Sequence, residues 1–348
     1  MRLSTLAGNS FAVLLMAAGA AGGTTNSAPE RLSGPVDHDN LAVYFVHAAS
    51  KAGPVPLTLQ EALAQGVVRV SETGEVNTLA IENFGDQSVF VQAGDVVKGG
   101  RQDRTLTVSL VLPPKSGRIP IASFCVEHGR WSARGLEDAA KFTTSAAAVP
   151  SREMKLAMQA AMPSAPGNGG VDTGARQQKV WDDVRIAQQR LAAATGADVR
   201  SPQSATSLQL ALENKKLAEM RAAYIAALKP AGEAGDDIVG FVFAVNGKLN
   251  SAEIYESNGL FRKMWPKLLD ASATEAISHR NDVKDDDAKD SAPSIAAVTA
   301  FLGASNAAKP SDRPLNFGVD RVTRESEKTV MFETALAGGW VHRSYLSK

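Results

Sequence analysis

The chain has one cysteine, Cys125, in 348 residues. An internal disulfide is therefore excluded, and the core must hold the fold. An unpaired thiol is safest from oxidation when buried, so Cys125 is expected inside. Charge of either sign is not in excess: Lys+Arg and Asp+Glu are 37 each. Without a net positive field, bulk nucleic-acid binding is excluded as the main function, because phosphate neutralisation needs that field. Histidine is sparse. His38, His47, His128, His279 and His342 form no ligand spacing, so no metal is expected. There is no nucleophile elbow, and Gly167–Gly174 lacks both the spacing and the preceding strand of a dinucleotide loop. Asn246-Gly247-Lys248 is not a phosphate loop, because no Ser or Thr follows the lysine. No cofactor is expected.

Long apolar runs are also missing. The longest candidate, Phe11 to Ala21, falls short of the roughly 20 residues that span a bilayer. Its flanks give it another meaning. Arg2 is a positive start, Phe11 to Met16 an apolar stretch, and Ala18-Gly19-Ala20 a small-x-small cleavage pattern. Residues 1–20 are therefore expected to be a signal peptide, and the remainder an exported protein without a transmembrane segment, periplasmic or extracellular. Residues 21–36 read as a flexible leader.

What is present is an ordinary globular composition, 44% hydrophobic and 21% charged. Leu41 to His47 is rich in β-formers. Thr58-Leu-Gln-Glu61 is a capping box that opens a short helix ending near Gly66. Strands are expected at 67–70, 76–83, 88–92, 105–112 and 119–127, with turns at Gly85-Asp86 and Gly94-Asp95. In 105–112 the alternation is clean: Leu106, Val108, Leu110 and Leu112 against Thr105, Thr107 and Ser109. It predicts one half-buried antiparallel strand. From Pro150 the spacing turns helical. Ser151 to Met162 is one helix, Pro163 to Gly174 a linker, and Val180, Val184, Ala187 and Leu191 mark another helix. Thr206-Ser-Leu-Gln209 reads as a second capping box, opening one helix with an apolar stripe from Leu208 to Leu228. Asn246-Gly247 joins strands 238–245 and 248–255 as a type I′ hairpin. The helix carrying Phe261, Met264, Trp265, Leu268 and Leu269 is expected to kink or restart at Pro266.

These elements predict an α+β fold. A β-sandwich-like sheet fills the N-terminal half, and helices with a β-hairpin fill the C-terminal half. The domain would span 37–280, β-rich over 37–135 and helical with the hairpin over 150–280. An acidic linker at 281–294 and a β-like extension at 295–348 follow.

Polar chemistry concentrates in two segments, Gly99-Gly100-Arg101-Gln102-Asp103-Arg104 and Cys125-Val126-Glu127-His128-Gly129-Arg130-Trp131. Antiparallel pairing of the two flanking strands puts Arg104 and Glu127 at one sheet edge. Arg101, Arg104 and Arg130 offer planar donors for phosphate or carboxylate. Gly99 and Gly100 permit close approach, Gln102 adds an amide, and Trp131 could stack on a ring. Asp103 and Glu127 could orient the arginines or act as an acid/base pair. Architecture alone explains the cluster about as well.

These two motifs, with the Asn246-Gly247-Lys248 hairpin and the Phe261-Arg-Lys-Met-Trp265-Pro-Lys-Leu-Leu269 helix, resemble the ARG and rhodanese-phosphatase associated protein domain over roughly residues 40–280. The resemblance implies an α+β domain and a loose connection, by gene neighbourhood, with ADP-ribose and phosphate-ester processing. Three functions are then open: an exported accessory protein binding at the cluster an anionic ligand, nucleotide-like or glycan-like, or a partner protein's acidic segment; a metal-independent hydrolase using Glu127 and Asp103 on an ADP-ribose-like or phosphorylated substrate; and a structural envelope protein.

Overall fold

The computed structural model of the chain describes residues 31–148, 151–159, 173–282 and 291–348. The expected signal peptide, most of the 163–174 linker and most of the acidic run 282–290 lie outside the described residues.

The fold is α+β, with antiparallel sheets dominating the N-terminal half and helices flanking a hairpin after them. One sheet has eight strands, all antiparallel. Its order is β1 (Arg31–His38), β2 (Leu41–His47), β12 (Ile238–Val245), β13 (Lys248–Tyr255), β17 (Gly339–Ser347), β16 (Thr329–Leu336), β15 (Val319–Glu325) and β14 (Ser311–Pro314). The β12–β13 turn has positive φ at both Asn246 (49°) and Gly247 (71°), as a type I′ hairpin demands. Two features differ from expectation. Arg31 to Val36, expected in a flexible leader, are paired to β2 as an edge strand. The C-terminal strands add to the hairpin itself, β17 pairing with β13, so they continue the sheet rather than extend beyond it.

The remaining strands make two smaller sheets around one core. Six strands run in the order β11 (Phe142–Ala148), β7 (Asp95–Gly99), β8 (Arg104–Leu106), β10 (Gly117–Cys125), β5 (Thr78–Asn83) and β4 (Val68–Glu72). Three run as β3 (Leu57–Thr58), β6 (Val89–Val91) and β9 (Leu110–Leu112). Val70, Leu79, Ile81 and Ile121 of the larger sheet meet Val89, Val91, Leu110 and Leu112 of the smaller in a buried cluster. The expected single strand 105–112 is thus divided. Residues 107–109 cross from one sheet to the other, and both alternating faces become buried, including Thr105 and Thr107. A strand that changes sheets cannot keep one face in water.

The helices are α1 (Leu59–Ala64), α2 (Arg152–Gln159), α3 (Thr173–Thr195), α4 (Leu208–Leu212), α5 (Lys215–Glu233), α6 (Asn258–Ser278) and α7 (Ile295–Gly303). α5 and α6 pack on the inner face of the large sheet, α7 on its opposite face, and α1 against the smaller sheets. α1 carries the expected reciprocal Thr58–Glu61 capping box. The second expected box is displaced. Ser207, not Thr206, caps α4 by accepting from Leu210 N–H, and the helix stops after five residues. Asn214 then caps α5, so the apolar stripe is split over two helices. α6 runs through Pro266 without a break. Packing outweighs the lost hydrogen bond there: Phe261, Trp265 and Leu269 are fully buried, and the Trp265 ring meets Phe45 and Phe241 edge to face.

Candidate functional site

The two polar segments meet at the adjoining ends of β7, β8 and β10 in the six-stranded sheet. Cys125 pairs with Arg104 across β10 and β8, so the residues just beyond them, Asp103 and Glu127, are neighbours. The Asp103 N–H donates to Glu127 Oε2 at 2.9 Å, and Val126 N–H donates to the Asp103 carbonyl at 3.0 Å. Both carboxylates are fully buried.

Each carboxylate is saturated with donors. Glu127 accepts from Arg130 Nε (2.7 Å) and Nη2 (2.8 Å), from the Ser204 hydroxyl (2.5 Å) and from Asp103 N–H. Asp103 accepts from Gly99 N–H (2.9 Å), from the Ser207 hydroxyl (2.7 Å) and from Arg134 Nη1 and Nη2 (2.9 and 3.1 Å). Burial opposes ionisation of Glu127, yet the Arg130 guanidinium, Ser204 and the Asp103 N–H together hold its carboxyl below the ordinary range. The Arg134 guanidinium is desolvated too, and the paired Asp103 and Glu137 more than offset this, raising its pKa. Arg130, Arg134, Asp103 and Glu127 therefore form a buried network of two positive and two negative groups, with the part-exposed Glu137 at its rim.

The remaining donors of Arg130 go to the backbone. Nη1 reaches the carbonyls of Gly100 (3.0 Å) and Ser132 (2.5 Å), and Nη2 that of Gly99 (3.2 Å). Arg130 thus ties both motifs and its own loop together. Gly99 (φ +112°) and Gly100 (φ +57°) shape the facing turn. A Cβ on Gly100 would stand 2.4 Å from the Phe142 ring, so this glycine serves close packing.

The expected ligand-binding residues separate into three environments. Arg104 and Gln102 point into the interior and are fully buried; Arg104 Nη1 donates to Gln102 Oε1 (3.1 Å), and its Nη2 lies 3.7 Å from Glu72. Arg130 is consumed by the network. Arg101 and Trp131 are exposed, Trp131 at 53%. The cluster is therefore not one open face of arginines. Cys125 is fully buried, and burial pushes its thiol up to about 11 despite the opposing pull of Arg104. Gln177 of α3 closes the backbone of this residue from both sides, accepting from its N–H and donating to its carbonyl at 2.9 Å each.

Open space lies on the other side of the network. The loop that follows Glu127 forms a groove of about 470 Å³ with Gln203 and Ser204, walled by Gly129, Arg130 and Arg134. His128 also borders a larger cleft of about 690 Å³ against α3, lined by Trp181, Arg185, Gln188, Arg200 and Thr206. His128 meets Trp181 edge to face at 4.3 Å. Thr206 fixes the His128 backbone, accepting from its N–H and donating to its carbonyl. The Trp181 indole Nε1 is buried and has no acceptor.

Sequence reasoning missed Arg134, Ser204, Ser207 and Trp181. Arg134 stands four residues after Arg130 and three before Glu137, the one local signal available. The others reach the site from 77 or more residues away, or from a helix whose exposed face carries no motif. Among the described residues, Glu153, Glu275 and His279 bring possible metal-ligand atoms within 4.8 Å of one another. Arg152 already engages Glu153, and Asp282 and Arg190 engage His279.

Comparison with curated proteins and with solved structures finds no match. The ARG and Rhodanese-Phosphatase-superfamily-associated Protein domain matches over residues 30–346, from the first strand of the large sheet to the last. That span takes in the C-terminal strands as well as both motifs. The chain belongs to this family, ARPP-1.

Proposed function

We propose that the chain is an exported accessory protein that binds a small organic ligand in the cleft between the second motif loop and α3. The carrying observation is that His128 borders both the cleft against α3 and the groove that the rest of its loop walls, while a saturated ion network behind the loop fixes its shape. The His128–Trp181 pair suits a planar ring. Arg185 and Arg200 stand at the rim beside Asp182 and Asp198, so an anionic group, as in a nucleotide-like ligand, would bind by taking a guanidinium over from its carboxylate. The proposed export rests on the leader pattern of residues 1–20.

The network argues against the hydrolase reading. An acid/base pair needs one group able to hold a proton near neutral pH, whereas Glu127 is held ionised and both carboxylates are already occupied. Calorimetric titration with ADP-ribose tests the proposal. Saturable binding is expected in the wild type and in Arg101→Ala, and is expected to weaken at least tenfold in Trp181→Ala. Binding lost in Arg101→Ala and kept in Trp181→Ala would move the site to the exposed edge and refute this reading.

A further inference from the structure

The inner face of the large sheet changes character along its width. Under α5 and α6 it is apolar. Farther out, a polar row crosses five strands in register: Arg313 opposite Arg321, Arg321 opposite Thr334, Thr334 opposite His342, and His342 opposite Tyr255. The inner members of the row are matched. His342 pairs with Glu253 at 2.7 Å, and the Tyr255 hydroxyl donates to Gln92 at 2.6 Å.

The outer members are not matched. Arg313 and Arg321 face each other directly, a repulsive cross-strand pair. Arg321 is only 8% exposed, with its guanidinium 5.6 Å from the Phe332 ring centre. Its Nε and Nη1, and Nη1 of Arg313, are buried and have no hydrogen-bond acceptor. Among the described residues neither arginine pairs with a carboxylate. Arg176, which donates to the carbonyls of Ala157 and Met158, adds a third positive charge nearby. Burial, then Arg313 and Arg176, bring the Arg321 pKa down to about 10. Beside Arg321 lies a cavity of about 10 Å³ with polar walls from Ser109, Gln159, Thr334, His342 and Ser344.

We propose that this cavity is a site for one small inorganic anion of chloride size, held by the unpaired N–H groups of Arg321 with the Ser109 hydroxyl, whose proton is not used by another bond. The bare groups on the arginines are all donors, so they call for an acceptor. A buried charge is kept only with a partner of opposite sign. The space admits a single water-sized occupant, which excludes a phosphate ester or nucleotide. A water could accept from both donors but would leave the charge uncompensated.

The test uses the full chain dialysed into sodium gluconate, then titrated with chloride or bromide at constant ionic strength. The wild-type melting temperature is expected to rise with halide and to saturate. Arg321→Gln should lose the response, and Arg321→Lys should shift its midpoint by about tenfold or more, as loss of charge-assisted hydrogen bonds implies. In gluconate, Arg321→Met should melt at or above the wild type, and in chloride the order should reverse. Crystals soaked in bromide should show an anomalous peak at Arg321. An ordered water there without bromide, or the same halide response in wild type and variants, overturns the proposal. Should Arg321→Gln fail to fold, Arg321→Lys and the wild-type anomalous map decide alone.

Discussion

Replacing Arg134 by Met removes the cation that closes the network and leaves its volume roughly filled. Asp103 would then keep the Gly99 N–H and the Ser207 hydroxyl but lose both guanidinium donors. Each such charge-assisted bond is worth ~1.5–3 kcal/mol. Arg130 Nη2, 3.8 Å from Asp103, can compensate in part. Stranding one partner of a buried pair costs ~3–5 kcal/mol, and that is the expected loss here. Urea or guanidinium unfolding measures it as a shift in midpoint. Arg134→Met/Asp103→Asn should be destabilised by less than the sum of the single changes, because the stranded charge is gone. Arg101→Met, at an exposed position, should change stability by less than ~0.5 kcal/mol. If Arg134→Met costs under ~1 kcal/mol, or the two changes simply add, the network is not holding the site and the reasoning fails.

Glu127 supplies a pH signature. Its folded pKa is depressed, so its stabilisation is complete above the unfolded value of ~4.3 and is lost as pH falls through the folded value. Glu127→Gln should therefore be less stable at pH 7 and show a shallower acid loss below pH ~5, read by unfolding at several pH values. Gly100→Ala is expected to cost over ~1 kcal/mol, from its positive φ and the Phe142 ring, with partial recovery in Gly100→Ala/Phe142→Ala. The Cys125 thiol should resist alkylation at pH 8 in the native chain and react on unfolding, since it is buried and its pKa is raised to about 11.

Local rules made much of the fold legible. The Thr58 capping box and the Asn246-Gly247 hairpin depend on residues within a few positions of one another, and both form. The reading of 105–112 failed because alternation reports two faces and does not say that both are covered. The helix boundary at 206–214 was obscured by three competing caps: Ser207 is already engaged by Asp103, while Thr206 holds the His128 backbone. At the site, strand pairing brought the two segments together, with Arg104 and Glu127 at one end of β8 and β10. It did not separate arginines that a donor-hungry interior consumes from one left at the surface. That sorting depends on Ser204, Ser207 and α3, which only the folded chain delivers.

The most direct test is a crystal structure of the chain soaked with ADP-ribose. The account predicts ligand density in the cleft beside His128 and Trp181, with the Arg130–Glu127 and Arg134–Asp103 bonds intact. Density over Arg101 and Trp131, or a ligand phosphate displacing a carboxylate from Arg130, would contradict it.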